Sequence, residues 1–351
     1  MLTFPVLIVA MLSGFKASVQ NELNAFFAHL VNQSDLLRRD SAQAFSKAHN
    51  NFSHLAFAAL NTRLLALVQD HFPVPLWHGL RVVAADASKL QLFLQDATGR
   101  QVREAIAFAL YLPGLEMTLA AKLYSPSTGE RQMLFEHLEC LAPGDLLVLD
   151  RGYPSRWLIA YLTQHGIPFC MRADDSGFST VKTFLRSALP EAVVTLRAAD
   201  TVDCTDYECA PTPTTVRLVR VVTPNGRVHV VITSLLDTTA YPAVGFADLY
   251  HSRWRIEEAF KRLKHRMALE NTSGLSWLAA QQDFGAKVFA DNLHAVAELE
   301  ATTLCNTHEQ YKLNRTYAFA HLKRCMPRWL PASLPTGQEG LPMLEELARN
   351  L

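Results

Sequence analysis

Apolar and polar positions alternate in two distinct ways along this chain. Short apolar runs bounded by turn-forming residues recur between Leu80 and Arg172, at Leu80–Asp86, Leu90–Leu94, Ala105–Leu110 and Leu146–Asp150. Their lengths and boundaries predict strands, and Glu116–Leu123 and Gly166–Arg172 extend the set. Glu130–Cys140 and Ser155–His165 read as helices. Strands alternating with helices predict an α/β core on a mixed sheet flanked by helices. From Asp174 to about Ala240 the pattern changes. Thr215–Val222 and Arg227–Ser234 alternate with period two and are rich in Val, with Asn225-Gly226 between them, which predicts a hairpin. Gly274–Leu304 and Tyr311–Met326 read as helices, the second basic on one side, and Leu330–Leu351 reads as loosely ordered.

Ahead of the sheet, residues 13 to 70 read as several short helices. Ser41 is the expected N-cap of Ser41–Asn50. The polar face of that helix (Ser41, Gln43, Lys47, Asn50) is either a reader of a DNA groove or a plain surface. Leu2–Leu12 is apolar but too short to span a bilayer, Pro5 interrupts it, and no basic segment precedes it. Phe72-Pro-Val-Pro-Leu76 is a stiff extended link and sets a boundary. The expected organisation is a helical N-terminal part (1–75), a first core part (76–173), a β-rich block (174–240), a second core part (241–305) and a C-terminal helical segment and tail (306–351).

The densest chemistry lies in Leu249–Met267, LYHSRWRIEEAFKRLKHRM. At a helical step of ~100° per residue, Tyr250, Arg253, Glu257 and Lys264 share one stripe about 60° wide. Ile256, Phe260, Leu263 and Met267 form the adjoining buried stripe, and Arg255, Arg262 and Arg266 fall on the solvated side. An acid beside two cations and a phenol suits a metal-held phosphate. The plain alternative is an amphipathic helix with ordinary i,i+4 pairs.

Composition changes this picture little. The chain has 351 residues, 49% hydrophobic and 19% charged, enough for a large core. Net charge is zero, yet Tyr250–Met267 carries six Lys/Arg against two Glu, and Tyr311–Arg328 carries five without an acid. Such local basic patches fit a polyanion partner on an otherwise neutral protein. The six cysteines lack zinc-ligand spacing and read as reduced thiols. No phosphate loop, dinucleotide fingerprint or nucleophile elbow is present, so nucleotide cofactors and hydrolase triads find no support.

The spacing Y-x2-R-x3-E-x6-K at Tyr250, Arg253, Glu257 and Lys264, set in LYxxRWxIExxFKxLK, resembles the signature of the insertion sequence 4 family of DDE transposases. Two further acids fit the resemblance: Asp86, ending Leu-Arg-Val-Val-Ala-Ala-Asp, and Asp150, opening Asp-Arg-Gly-Tyr. Ala87 departs mildly from the family's usual residue after the first acid. The start LTFPxLIxxML also resembles the family's N-terminal domain.

The resemblance implies a ribonuclease-H-like catalytic core interrupted by a β-rich insertion. Asp86, Asp150 and Glu257 would be catalytic and hold two Mg²⁺ ions, with Mn²⁺ as a substitute. Tyr250, Arg253, Lys264, Arg151 and Lys261 would contact DNA. Arg217, Arg220 and Arg227 of the insertion either reach DNA or face water. Tyr207 and Tyr241 are candidates for holding a flipped base. The implied activity is cleavage and strand transfer at element ends, on double-stranded DNA, by a homodimer in the bacterial cytoplasm, nucleoid-associated when bound and with no membrane partner. A ribonuclease-H-like nuclease without strand transfer and a non-catalytic DNA-binding protein are the alternatives.

Overall fold

The computed structural model describes residues 2–31, 33–96, 98–173, 177–222, 226–305 and 315–329. Of the features expected from sequence, Asp174, Asn225 of the hairpin turn, residues 311–314 and the tail at 330–351 lie outside the described residues. Four helices come first: α1 (Phe4–Leu12), α2 (Val19–Leu30), α3 (Ala42–Asn50) and α4 (Ala56–His71). One of the N-caps, Ser41, is the one the sequence suggests. Ser18 accepts from the Asn21 amide at 3.4 Å and Ser41 from the Ala44 amide at 3.1 Å, satisfying donors that a helix start leaves free. Strands β1 (Leu76–Trp77), β2 (Leu80–Gln95), β3 (Gln101–Leu112) and β4 (Met117–Tyr124) follow, then α5 (Glu130–Phe135), β5 (Asp145–Leu149), α6 (Arg156–Gln164) and β6 (Phe169–Arg172). Next are α7 (Ser179–Arg186), β7 (Glu191–Leu196), α8 (Thr201–Asp206), β8 (Thr214–Val222) and β9 (Val228–Thr233). The chain closes with α9 (Phe246–Ser252), α10 (Trp254–Arg266), α11 (Trp277–Cys305) and α12 (Arg315–Cys325).

The strands join one mixed sheet in the order β4-β3-β2-β5-β6-β9-β8-β7, with β1 paired to the start of β2. β3 runs antiparallel to both of its neighbours, β2 and β4. β5 lies parallel to β2, and β6 parallel to β5. The block expected as a β-rich insertion is continuous with this sheet, because β9 pairs antiparallel with β6. The separate strands expected at Leu80–Asp86 and Leu90–Leu94 are one long strand whose register shifts between Gln91 and Leu94.

Successive residues of a strand face opposite sides of the sheet. Ala84, Leu90 and Leu92 therefore join one core, with Ile256, Phe260 and Leu263 of α10 and Phe284 and Phe289 of α11. The N-terminal helices share that core through Leu23, Phe26, Phe45 and Phe57. Val83 and Ala85 join the opposite core, with Met133 and Leu134 of α5 and Leu158 and Ile159 of α6. All five residues of β5 are buried, as a central parallel strand covered on both faces requires.

The two central strands are locked at their entry. Asp145, only 2% exposed, takes Arg81 in a two-pronged ion pair at 2.6 and 2.7 Å and also accepts from the Ala142 amide at 2.8 Å. That pairing fixes β5 beside β2, and with it the positions of Asp86 and Asp150. A staple fixes α10 along the same strand: Lys264 Nζ donates to the Lys89 carbonyl at 2.6 Å, and the Glu270 carboxylate accepts from the Gln91 amide at 2.9 Å.

The single helix expected over Leu249–Met267 is two. The Arg253 amide donates to the Tyr250 carbonyl at 3.2 Å, and the Ile256 amide to the Arg253 carbonyl at 3.1 Å. Both are three-residue bonds, which tighten the turn and separate α9 from α10. A constant step per residue across Arg253 is therefore the wrong geometry. Arg262, expected on the solvated side, is 14% exposed and forks onto Asp291 at 2.8 Å.

Candidate active site

Asp86 lies within β2 rather than at its end. The parallel pairing of β5 with β2 stops at Ala84, opposite Val148, so Asp86 stands just past the last residue that β5 covers. Its parity with Ala84 turns it toward the face that α9 and α10 close. Asp150 follows the last residue of β5, and its carbonyl accepts from the Tyr153 amide at 3.2 Å in a tight turn. Glu257 sits in the first turn of α10.

One guanidinium links two of these acids, and a phenol holds the third. Arg253, 3% exposed, donates to Glu257 Oε1 at 2.7 Å and comes within 3.9 Å of Asp86 Oδ2. Its Nε and Nη1 find no hydrogen-bond partner. Tyr250 donates its hydroxyl to Asp150 Oδ1 at 2.9 Å. The structure thus brings Asp86, Asp150, Glu257, Tyr250 and Arg253 together. Tyr250 and Arg253, expected to face DNA, are buried and turned onto the acids. Lys264 is stapled to the backbone of β2, while the side chains of Arg151 and Lys261 are exposed.

Burial and neighbouring charge set the protonation of each acid. Burial pushes the Asp86 carboxyl up to about 6; Arg253 and the Ala87 amide oppose this, and the charges of Glu257 and Glu130 add to it. Burial works in the same direction on Asp150. There the Arg151 amide, the charge of Arg253, the Tyr250 hydroxyl and the charge of Arg172 outweigh it and hold the carboxyl below its ordinary value. Arg253 is kept protonated despite its burial, because Tyr250, Asp150, Glu257 and Asp86 surround it. Two neighbouring carboxylates with such different proton affinities are a recurrent mark of catalytic sites.

Residues that the motifs do not include also belong here. The charges of Glu130 at the start of α5 and Arg172 at the end of β6 both bear on Asp150. Tyr153 is buried among Glu130, Asp86, Arg253 and Asp150, and its hydroxyl has no hydrogen-bond partner. Asp-Arg-Gly-Tyr carried a signal for Tyr153. Nothing in the local sequence marks Glu130, which reaches the site only through the sheet's register.

Of the three arginines expected either to reach DNA or to face water, two are engaged within the protein. Arg217 has no exposed surface; it is ion-paired with Glu191 and donates to the carbonyls of Leu235 and Tyr241. Arg220 is spent on the carbonyls of Leu189, Phe184 and Ser187. Arg227 is exposed. Tyr207 stacks on Trp157 with ring centres 3.6 Å apart, and Tyr241 stacks on Trp77 at 5.9 Å, so each already has a ring partner.

Hard carboxylate oxygens are the donors a Mg²⁺-like ion takes. Arg253 is the cation that the ion pairs place beside Asp86 and Glu257, and the hard oxygens of these acids have the donor chemistry for an additional cation. Among the described residues, no three His, Cys, Asp or Glu side chains stand close enough together to hold an ion in this arrangement. Among the same residues no helix is long and apolar enough to cross a membrane.

Comparison with known proteins bears on the same segment. No curated protein matches the chain. A solved piggyBac transposase synaptic complex with hairpin DNA aligns with 98% of this chain and 75% of its own, at 9% identity and a TM-score of 0.45, a likeness too distant to carry an argument. The family model described as the transposase DDE domain matches residues 77–293, which span Asp86, Asp150 and the whole of α9 and α10. That match covers more than half of the 351 residues, and the chain belongs to the transposase DDE domain family.

Proposed function

We propose that this protein is a transposase of the insertion sequence 4 type, which cuts DNA at the ends of its element and joins the freed ends to a target. The observation that carries the reading is the convergence of Asp86, Asp150 and Glu257, from three separate stretches of chain, on one guanidinium and one phenol. A solvated helix face has no need to bury an arginine between two acids. The mixed sheet, with its first two acids on neighbouring parallel strands, supports a ribonuclease-H-like core.

Asp86, Asp150 and Glu257 would hold the divalent ions, Mg²⁺ with Mn²⁺ as a substitute. When bound, such an ion supplies activation of an attacking oxygen and stabilisation of a leaving one at phosphorus. The chain's own residues do the rest. Tyr250 fixes the rotamer of Asp150 and leaves one of its oxygens for other partners. Arg253 offsets the charge of Asp86 and Glu257 and so keeps two acids in one partly buried place. Lys261 and Arg151 supply positive charge along the exposed rim for the phosphate backbone, and the half-buried Lys264 adds its charge from its place on β2. The polar face of α3, with Gln43, Lys47 and Asn50 exposed, is a second DNA contact beside the catalytic domain. Two element ends must meet, so a homodimer on DNA is expected, and the implied setting is the bacterial cytoplasm.

The test uses element-end oligonucleotides carrying a free 3′-hydroxyl, mixed with plasmid target and Mg²⁺. Joined products, abolished in Asp86→Asn, Asp150→Asn and Glu257→Gln alike, are expected. Cut products without any joined product would move the assignment to a plain nuclease.

A further inference from the structure

Glu130 stands apart from the signature motifs yet shares their site. It is the first residue of α5, which packs on β2 and β3. Its Oε2 lies over Gly152, so close that a Cβ placed there would sit 3.3 Å from it. Gly152 belongs to the tight turn that Asp150 opens, so the glycine gives the Glu130 carboxylate its approach to that turn. The next residue clasps the far side of the turn: Arg131 donates from Nε to the Tyr153 carbonyl at 3.0 Å and from Nη2 to the Pro154 carbonyl at 3.3 Å. Those bonds engage the guanidinium nearest to Glu130 in sequence with backbone rather than with the acid.

A second observation points into the same place. Tyr153 is 1% exposed, its hydroxyl is fully enclosed, and no protein group hydrogen-bonds it. The charges of Glu130, Asp86, Arg253 and Asp150 all act on it, so it is lodged among them. A buried hydroxyl without a partner costs roughly 1–3 kcal/mol, and room for a polar ligand is one physical reason for such a group. The charge distribution is uneven in the same sense. Asp86 and Glu257 share Arg253, whereas the guanidinium beside Glu130 in sequence is held by the carbonyls of Tyr153 and Pro154.

We propose that Glu130 is a fourth acid of the site and shares with Asp150 a position for a divalent cation. One or two carboxylates, completed by water and phosphate oxygens, are enough for an ion such as Mg²⁺. This inference rests on the reading that the acids hold divalent ions, and it adds a residue and a pairing to that reading.

The experiment titrates Mn²⁺ alone into the full-length, DNA-free protein and follows free Mn²⁺ by electron paramagnetic resonance. Wild type, Glu130→Gln and Asp86→Asn are compared, with unfolding in chelator recorded for each. Glu130→Gln is expected to weaken Mn²⁺ binding about tenfold or to remove one bound ion, while its unfolding midpoint in chelator is no lower than that of the wild type; about tenfold corresponds to ~1.4 kcal/mol of binding. Should Glu130→Gln fail to fold, Gly152→Ala, which crowds the same carboxylate, must weaken Mn²⁺ instead. Wild-type Mn²⁺ binding in Glu130→Gln, with loss in Asp86→Asn, overturns the role of Glu130 and leaves the three-acid reading standing. Failure of the wild type to bind Mn²⁺ overturns both.

Discussion

Replacing the central acid should make the protein more stable while it destroys activity. In the folded chain the Asp86 carboxyl is pushed up to about 6, from 3.8 in an unperturbed chain, chiefly by burial. Well below pH 3.8 the group is protonated in both folded and unfolded states and contributes no difference. As pH rises through the window from 3.8 to about 6, the unfolded chain ionises first and the folded chain resists, so stability falls with pH and levels off above the window. Each tenfold change in proton affinity is worth ~1.4 kcal/mol, which puts the cost at neutral pH at roughly 3 kcal/mol. The side chain keeps 22% of its surface exposed, so solvent relaxation reduces the realised cost to about 2 kcal/mol. Asn mimics the protonated acid in shape and charge and should recover that amount at pH 8 and only about 0.5 kcal/mol near pH 4. The assay is urea unfolding of wild type and Asp86→Asn in chelator at both pH values. An Asn variant no more stable than wild type at pH 8, or equally stabilised at both pH values, would refute the argument, because the penalty would then not come from burying an ionised carboxylate.

Other perturbations separate the inward-facing residues from the outward-facing ones. Tyr250→Phe removes one of the groups that hold the Asp150 carboxyl low, so that carboxyl rises and the acid limb of the pH profile for end cleavage moves to higher pH; an unmoved limb would deny the hydrogen bond a role. Its cost in stability should be about 1 kcal/mol, measurable by unfolding. Arg217→Ala leaves Glu191 and two carbonyls without a partner inside the sheet's edge and should destabilise by about 3 kcal/mol, with DNA affinity lost only in proportion to the unfolded fraction. Lys261→Ala, at an exposed site, should leave the unfolding curve in place and reduce the salt dependence of duplex binding by about one phosphate contact in a filter-binding series. An unchanged salt slope would remove Lys261 from the interface.

Legibility in the sequence followed how local each feature was. The strand ending at Asp150 was readable because a run of apolar residues lies between Gly144 and the Asp-Arg-Gly-Tyr turn, and β5 occupies that run. The caps at Ser18 and Ser41 are local too, one of them expected and both formed. β2 was harder. Its polar middle, from Asp86 to Lys89, reads as a gap between two strands, but pairing with β3 on the other side carries the backbone straight through. Charge misled at Arg217, since an arginine in a strand ordinarily faces water, and only the distant placement of Glu191 and of two carbonyls makes its burial affordable. Glu130 gave no signal, because its neighbours Asp150 and Gly152 come from the next strand's turn. The signature itself shows the limit most sharply. Spacing that aligns Tyr250, Arg253, Glu257 and Lys264 along one helix also permits a tightened turn at Arg253, and no Gly or Pro marks which of the two occurs. The tightened turn is what sends the phenol to Asp150 and the guanidinium between Asp86 and Glu257. Two of the four residues thus act on the acids before any phosphate is present, and a variant of either should change the acids' titration as well as the grip on DNA.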